Sequence, residues 1–271
     1  MTTPQDIQRK TADTYSAASD TYDHPANSFW ERYGRRTVDR LHLPIGARVL
    51  DVCCGSGASA LPAAEAVGPT GSVLGVDLAE SLLELARSKA EQRGLKNVEF
   101  RKGDMLDLKL PESTFEAVVC VFGIFFVQDM HLAMNKLARL VRPGGKLAIT
   151  TWGPRFFEPA SSAFWNSIRA VRPDLYKGFN PWDRISEPNA VRALFVGLGV
   201  EKLEVIAENG VHSLSSPDDW WVALRGSGYR GTLEQLNAKD LEQVRQTNLD
   251  FIRQNNVRSV ESNVVYAVGQ F

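Results

Sequence analysis

The sequence predicts an α/β protein built on a doubly wound, mostly parallel β-sheet. Between residues 46 and 153, short apolar segments alternate with helix-like segments, and "VLDVCCGSG" at Val49–Gly57 sets glycines directly after the first apolar segment. Such alternation is typical of parallel sheets with right-handed crossovers. Because these sheets bind ligands beyond the carboxyl ends of their strands, the candidate site residues should follow each strand.

Five strands are predicted in this region. The first is "ARVLDVCC", followed by the Ala-rich helix "ASALPAAEAVG", and the second is "GSVLGVDL", followed by the helix "AESLLELARSKAEQRG". The third is "NVEFRKGD", and the fourth, "FEAVVCVFGIFF", is apolar throughout, as a strand covered on both faces should be. The helix "MHLAMNKLARLV", closed by "RPGG", leads to the fifth strand, "KLAITTWG".

The pattern changes after the fifth strand. Residues 154–190 are rich in aromatic residues and proline, which predicts a helical insert. Beyond it we expect a strand at "EKLEVIAEN", a helix at "SPDDWWVALRG", a long helix over about 233–254 and a last strand at "SNVVYAVGQF". Two late strands without a full crossover between them predict seven strands in all, with an antiparallel edge strand.

The 271 residues are expected to form a single domain. Its predicted parts are an N-terminal helical cap (1–45), a cofactor-binding core (46–153), the aromatic insert (154–190) and a C-terminal part of the sheet and its helices (191–271).

Composition excludes several classes of function. A net charge of -1 provides no basic field for a nucleic acid, and no apolar segment approaches the length that membrane insertion requires. The three cysteines are an odd number and lie in apolar strand-like segments, which favours a cytoplasmic protein.

The glycines after the first strand are compatible with two classes of nucleotide cofactor. Gly55–Ala60 matches the G-x-G-x-x-A pattern of dinucleotide-binding proteins, and Asp77 follows Gly57 by the spacing that a ribose-binding acid would have. An NAD-dependent oxidoreductase is therefore one alternative.

Three features favour S-adenosylmethionine over NAD. Asp51 suits a ligand with an ammonium and a sulfonium group but would repel a pyrophosphate. Asp104 could accept a hydrogen bond from the adenine amino group while Met105 packs on the ring. The chain also has no Tyr-x-x-x-Lys motif to serve a dehydrogenase.

Four segments together resemble the class I S-adenosylmethionine-dependent methyltransferases, which have a Rossmann-like fold. They are "VLDVCCGSG", "VLGVDLAESLLELA", "GDMLDL" and "LVRPGGKLAITTW", and they span about residues 45–153. The N-terminal "TYSAASDTYDH" resembles the start of the ubiquinone/menaquinone-biosynthesis type of these enzymes. That type has an Arg-Asn pair where this chain has Phe125–Phe126, which weakens the case for a quinone itself as the acceptor. The acceptor that the resemblance implies is a natural product or a quinone-like metabolite.

The resemblance implies roles for individual residues. Asp51 would contact the methionine amino group, Asp77 the ribose hydroxyls, and Asp104 the adenine. The full set of expected cofactor contacts is Tyr15, Tyr22, Asp51, Cys53, Gly55, Gly57, Asp77, Leu78, Asp104, Met105, Val121, Phe122 and Gly123. The expected product of the cofactor is S-adenosylhomocysteine.

Methyl transfer is an in-line displacement that depends largely on positioning. The chain lacks an Asn/Asp-Pro-Pro-Tyr/Phe motif, a Pro-Cys dipeptide and a carboxylate after the fourth strand, which favours a metal-independent enzyme acting on a small molecule. His24 and His131 are the candidate bases. The expected acceptor contacts, for a flat or hydrophobic molecule, are Phe125, Phe126, Trp152, Phe157 and Trp165. A non-catalytic S-adenosylmethionine-binding sensor or partner module remains an alternative, and the sequence leaves the oligomeric state open.

Overall fold

The computed structural model describes residues 4–271, so the first three residues of the expected cap lie outside the described part. The described chain contains a seven-stranded sheet and a separate two-stranded sheet. The strands are β1 (Arg48–Val52), β2 (Ser72–Asp77), β3 (Val98–Lys102), β4 (Phe115–Val121), β5 (Val141–Trp152), β6 (Lys202–Glu208), β7 (Val211–Ser213), β8 (Ser259–Glu261) and β9 (Val264–Gln270). The predicted fold class is confirmed.

Ten α-helices are present in the described residues, and several pack against the large sheet. They are α1 (Pro4–Ala18), α2 (Phe29–Leu41), α3 (Ala60–Val67), α4 (Glu80–Gln92), α5 (Met130–Leu140), α6 (Ala160–Val171), α7 (Pro188–Ala193), α8 (Pro217–Arg225), α9 (Arg230–Leu233) and α10 (Ala238–Gln254). None of these helices combines the length and the apolar character that crossing a bilayer would require.

The strand order places a crevice at the carboxyl end of β1. The large sheet runs β3-β2-β1-β4-β5-β9-β6, so the chain winds to one side of β1 first and returns to the other side at β4. Asp51 in β1 lies in register between Gly75 of β2 and Val119 of β4. Such a reversal of winding opens a crevice between the two strands, where a ligand can bind.

The antiparallel strand is not at the edge of the sheet, where we expected it. β9 pairs antiparallel with β5 on one side and with β6 on the other, so β6 forms the edge. Burial explains this order: the first four residues of β9 are buried, whereas β6 alternates exposed with half-buried residues and suits an edge.

Two predicted boundaries also differ. The fourth strand ends at Val121 because Phe122 adopts a left-handed backbone with φ of 55°, and residues Ile124–Phe126 form a 3-10 helix. The last long helix begins at Ala238 instead of residue 233, because the side chain of Asn237 accepts a hydrogen bond from the Asp240 amide and caps it.

Helix α2 lies directly on the loop that follows β1. A Cβ atom at Gly34 would lie 2.3 Å from the carbonyl oxygen of Ala58, so only a residue without a side chain allows this approach. The glycine thereby fixes the distance between the cap and the loop that carries the candidate site.

We expect Gly34→Ala to lower the free energy of unfolding by about 1–3 kcal/mol, because the added methyl group would overlap a backbone atom. Urea denaturation would measure the change. Gly178→Ala is the matched control, since its nearest neighbour would be a ring carbon of Tyr176 at 3.8 Å. Equal stability of the two variants would contradict the close contact between α2 and the loop.

Candidate active site

A cavity, here called the inner cavity, lies at the carboxyl ends of β1, β2 and β4, beneath α1. It is lined by Gln8, Thr11, Ala12, Tyr15, Tyr22, Trp30, Cys53, Gly55, Asp77, Leu78, Ala79, Leu82, Gly103, Asp104, Met105, Val121, Phe122, Phe126 and Val127. Ten of the thirteen residues expected at the cofactor are among them, and the other three are Asp51, Gly57 and Gly123. The structure thus brings together residues from the cap and from the carboxyl ends of four strands, β1 to β4.

Asp77 ties the end of β2 to two neighbouring segments. One carboxylate oxygen accepts a hydrogen bond from the Gly55 amide at 2.9 Å, and the other accepts one from the Ala79 amide at 2.8 Å. Burial raises the pKa of Asp77 despite these bonds. Each carboxylate oxygen retains acceptor capacity, so the group can still receive hydroxyl donors from a ligand.

The loop after β1 has an unusual backbone. Cys53, Gly55 and Gly57 all have positive φ angles, at 57°, 51° and 86°. For a residue with a side chain, such as Cys53, this conformation costs about 1–3 kcal/mol and tends to occur at functional sites. A Cβ atom at Gly55 would lie 3.2 Å from the Tyr22 hydroxyl, so the glycine keeps this wall of the inner cavity open.

The other end of the inner cavity is formed by the turn after β3. Asp104 accepts hydrogen bonds from the Leu106 amide and from the Gln8 side chain, each at 2.9 Å. Met105 is buried beside it. Helix α1 therefore contacts the residues that we expected to hold an adenine.

Aromatic rings of the cap form the wall facing the loop. The Tyr22 ring stacks on Trp30 with centroids 5.1 Å apart, and Tyr15 makes edge contacts with Tyr22 and Phe126. Burial raises the pKa of Tyr15 and of Tyr22, with Asp77 and other neighbours adding to the effect, so both phenols remain protonated at neutral pH.

A polar cluster, here called the clasp, fastens the cap to the glycine loop. Asp23 accepts hydrogen bonds from the Ser56 hydroxyl at 2.6 Å and from the Lys89 ammonium at 2.9 Å. Lys89 also donates to the Ser56 hydroxyl at 2.9 Å. The clasp joins three segments: the cap, the loop after β1 and helix α4.

Asp51 is almost fully buried below the loop and does not line the inner cavity. Its Oδ2 atom accepts a hydrogen bond from the Ser59 hydroxyl at 2.7 Å, while Oδ1 has no partner within the described part of the chain. Burial raises the pKa of Asp51 to about 7. An anionic Asp51 would therefore be unsatisfied unless a cationic group or water reached it.

The two remaining glycines lie next to the inner cavity. Gly57 lies against Leu61 and Ala86 and lines a third cavity, beside the clasp. Gly123 lies against Cys53: a Cβ atom there would be 2.5 Å from the Cβ of Cys53, so the ends of β1 and β4 are in close contact.

A second cavity, here called the outer cavity, shares a wall with the inner one and has a volume of about 570 Å³. The shared residues are Thr11, Tyr15, Phe126 and Val127. The residues that line only the outer cavity are Lys10, Thr14, Phe125, Gln128, Trp165, Lys177, Phe179, Asn180, Pro181, Trp182, Arg184, Gly228, Tyr229 and Gly231. This volume and aromatic lining are typical of sites for small molecules.

Three of the five residues expected at the acceptor, Phe125, Phe126 and Trp165, line the outer cavity. The other two do not: Trp152 and Phe157 are almost fully buried in a stack of rings with Phe122 and Phe156, whose successive centroids are 3.7–3.8 Å apart. Stacking buries the ring faces of Trp152 and Phe157. In this structure these two residues pack behind Phe122 and hold its ring in place at the inner cavity.

Neither candidate base lines the two cavities. His24 caps the 3-10 helix at Pro25–Asn27, where its Nδ1 atom accepts a hydrogen bond from the Ala26 amide at 3.1 Å. His131 is exposed near the start of α5. Over residues 4–271, no group of three metal-ligating side chains comes together.

Several lining residues were not predicted from the sequence. Gln8, Thr11 and Ala12 share one face of α1 with Tyr15, which was expected at the cofactor, and this helical spacing was the signal that could have revealed them. Lys10, Arg184 and Tyr229 of the outer cavity had no such signal, because they come from three distant segments.

Comparison with protein families supports the resemblance found in the sequence. Residues 49–145 match the family described as "Methyltransferase domain". Aklanonic acid methyltransferase DauC of Streptomyces sp. (strain C5) is 35% identical over 53% of this chain and 66% of its own length. A demethylmenaquinone methyltransferase of Geobacillus sp. (strain WCH70) is 36% identical over 41% of this chain and 47% of its own length. The alignments thus span about half to two thirds of these relatives.

Among solved structures, a SAM-dependent methyltransferase from Aquifex aeolicus has a similar fold. The TM-score is 0.55 at 23% identity, over 70% of this chain and 91% of that one. The predicted resemblance to S-adenosylmethionine-dependent methyltransferases is confirmed by these matches, which are to the fold and to the central part of the chain.

The raised pKa of Asp51 predicts a pH dependence of stability. The folded state keeps the Asp51 proton up to about pH 7, whereas the unfolded state loses it near the ordinary aspartate pKa of 3.8. Between these values the folded state binds more protons, so stability should fall as the pH rises from about 4 to 7 and then level off.

We expect the Asp51→Asn variant to lack the fall in stability that ionisation of Asp51 causes. Between pH 5 and pH 8, its free energy of unfolding should therefore rise by about 1–3 kcal/mol relative to that of the unmodified protein. Urea denaturation without ligand at both pH values would measure it. Asp107→Asn, at a largely exposed carboxylate, is the control. If the difference in free energy of unfolding between Asp51→Asn and the unmodified protein did not change with pH, the raised pKa of Asp51 would be contradicted.

Proposed function

We propose that this chain, whose residues 49–145 match the methyltransferase domain family, transfers a methyl group from S-adenosylmethionine to a small aromatic or hydrophobic acceptor. The observation that carries the proposal is the junction of the two cavities. The inner cavity gathers ten of the residues expected at the cofactor, and the outer cavity, which is lined by seven aromatic residues among others, meets it at Tyr15 and Phe126.

The residues of the inner cavity fit S-adenosylmethionine in their chemistry. Asp77 and Asp104 would accept hydrogen bonds from the ribose hydroxyls and the adenine amino group, with Leu78 and Met105 packing on the base. The space above Gly55, which a Cβ atom would partly fill, would receive the methionine part. The unpaired Oδ1 atom of buried Asp51 would favour a cationic group of the ligand nearby, which it would contact directly or through water.

When bound, S-adenosylmethionine supplies a methyl group on a positively charged sulfur. A lone pair of the acceptor forms the new bond to the methyl carbon, the carbon–sulfur bond breaks, its electrons remain on sulfur, and S-adenosylhomocysteine is left. The protein's share is to hold the acceptor atom, the methyl carbon and the sulfur in line and to exclude water. Phe126, on the wall that the two cavities share, and Phe122, in the inner cavity, are placed to contribute to both.

No histidine lines either cavity within residues 4–271, and the two tyrosines of the inner cavity remain protonated at neutral pH. We propose that the acceptor arrives as a competent nucleophile, ionised or nearly so, and needs no histidine of the two cavities to deprotonate it. For an acceptor that arrives protonated, His24 and His131 remain the proposed bases.

The acceptor is proposed to lie in the outer cavity, against Phe125, Phe126 and Trp165. We further propose that residues 1–271 act as a single methyltransferase domain without a metal ion and in the cytoplasm, where the three free cysteines would stay reduced. The relatives named above are methyltransferases, which gives no support to an NAD-dependent oxidoreductase or to a non-catalytic binding module.

Calorimetric titration with S-adenosylmethionine, S-adenosylhomocysteine and NADH would separate these alternatives. We expect both sulfur nucleosides to bind and NADH not to bind. Transfer of a labelled methyl group to members of a panel of flat aromatic acceptors would then distinguish an enzyme from a binding module. Binding of NADH alone, or cofactor binding without transfer to any aromatic acceptor, would contradict the proposal.

Asp77→Ala should raise the dissociation constant of S-adenosylmethionine about 10- to 100-fold, because charge-assisted hydrogen bonds to the ribose are lost. Calorimetry would measure the change, with circular dichroism to verify that the variant is folded. Asp107→Ala, whose side chain is 68% exposed outside both cavities, is the control and should bind normally. An unchanged dissociation constant for the folded Asp77 variant would refute its assigned role.

A further inference from the structure

The charged residues that line the outer cavity all have the same sign. They are Lys10, Lys177 and Arg184, and no aspartate or glutamate lines this cavity within the described part of the chain. This local excess of positive charge occurs in a protein whose net charge is -1. A ligand that carries a negative charge would be attracted to such a cavity.

Arg184 contributes charge but is already held in place. Its guanidinium donates to the carbonyl oxygens of Phe125 at 2.6 Å and Val127 at 3.0 Å. These bonds fix the 3-10 helix after β4 against the insert and leave the positive charge without a carboxylate. Arg184 therefore shapes the wall of the outer cavity and adds to its positive potential.

Lys10 and Lys177 are the cations that can move to a ligand. Lys10 lies on α1 and Lys177 on the insert, and neither pairs with a carboxylate of residues 4–271. Lys177 is exposed at the surface and lines the cavity, with its ammonium 5.8 Å from the centroid of the Trp165 ring. Partial loss of solvent around that ammonium, together with repulsion from Lys10, lowers the pKa of Lys177.

An anion bound between the two ammonium groups would relieve this repulsion. We infer that the outer cavity takes a flat aromatic acceptor that carries a carboxylate or a similar anionic group, bound by Lys10 and Lys177. Trp165, Phe125 and Phe126 contact the ring system, which fits an aromatic body of the size that the cavity admits.

The two lysines line only the outer cavity, whereas Tyr15 and Phe126 belong to both. The anionic group is thus bound away from the shared wall, where the methyl group is transferred. The anionic group orients the acceptor, and the methyl group is transferred to a different atom of the acceptor. That the ligand is a methyl acceptor rests on the proposed function, but the preference for an anion does not.

Two probes of nearly equal shape test the inference: 1-hydroxy-2-naphthoate, which is anionic, and 1-hydroxy-2-naphthamide, which is neutral. Their dissociation constants would be measured by calorimetry on the full chain, with and without saturating S-adenosylhomocysteine. We expect the naphthoate to bind about tenfold more tightly than the naphthamide, as a charge-assisted contact implies.

The double variant Lys10→Gln, Lys177→Gln should bring the naphthoate within about twofold of the naphthamide and leave binding of the naphthamide unchanged. Lys96→Gln, at an exposed lysine outside both cavities, should retain the full preference. Equal binding of the two probes to the unmodified protein, a preference that survives in the double variant, or no binding of either probe would overturn the inference. Failure of the proposed function has a different signature: the preference for the naphthoate persists without any binding of S-adenosylmethionine.

Discussion

The carboxylate of Asp77 holds the candidate site together. It bonds the Gly55 amide of the loop after β1 and the Ala79 amide at the start of α4, so three segments meet at one buried side chain. Burial of a carboxylate is unfavourable unless hydrogen bonds compensate for lost water, and here backbone amides provide them. The left-handed backbone at Cys53 and Gly55 is what turns the loop toward this group.

The cap completes the site from the other side. The clasp of Asp23, Ser56 and Lys89 holds it to the glycine loop, and Gly34 allows α2 to lie directly on that loop. Tyr15 and Gln8 then reach the inner cavity from α1. Since the cap makes contacts on both the cofactor side and the acceptor side, its movement would open both cavities together.

Local features of the sequence were sufficient for most of the sheet and for many of the residues that line the inner cavity. Strands and their ends follow from apolar segments and glycines, so residues such as Asp77 and Met105 could be placed at this cavity from their position alone. The position of β9 between β5 and β6 could not, because strand pairing is a contact between distant segments. The burial of Trp152 and Phe157 in a ring stack is likewise a tertiary effect, as is the meeting of Lys10 with Lys177.

The most direct test of the account is a crystal structure of the protein with S-adenosylhomocysteine. The account predicts that the adenosine occupies the inner cavity, with its ribose hydroxyls within hydrogen-bonding distance of Asp77 and its adenine between Leu78 and Met105. The outer cavity should remain open beside the sulfur. A nucleoside bound at any other place, or an inner cavity left empty at saturating ligand, would contradict it.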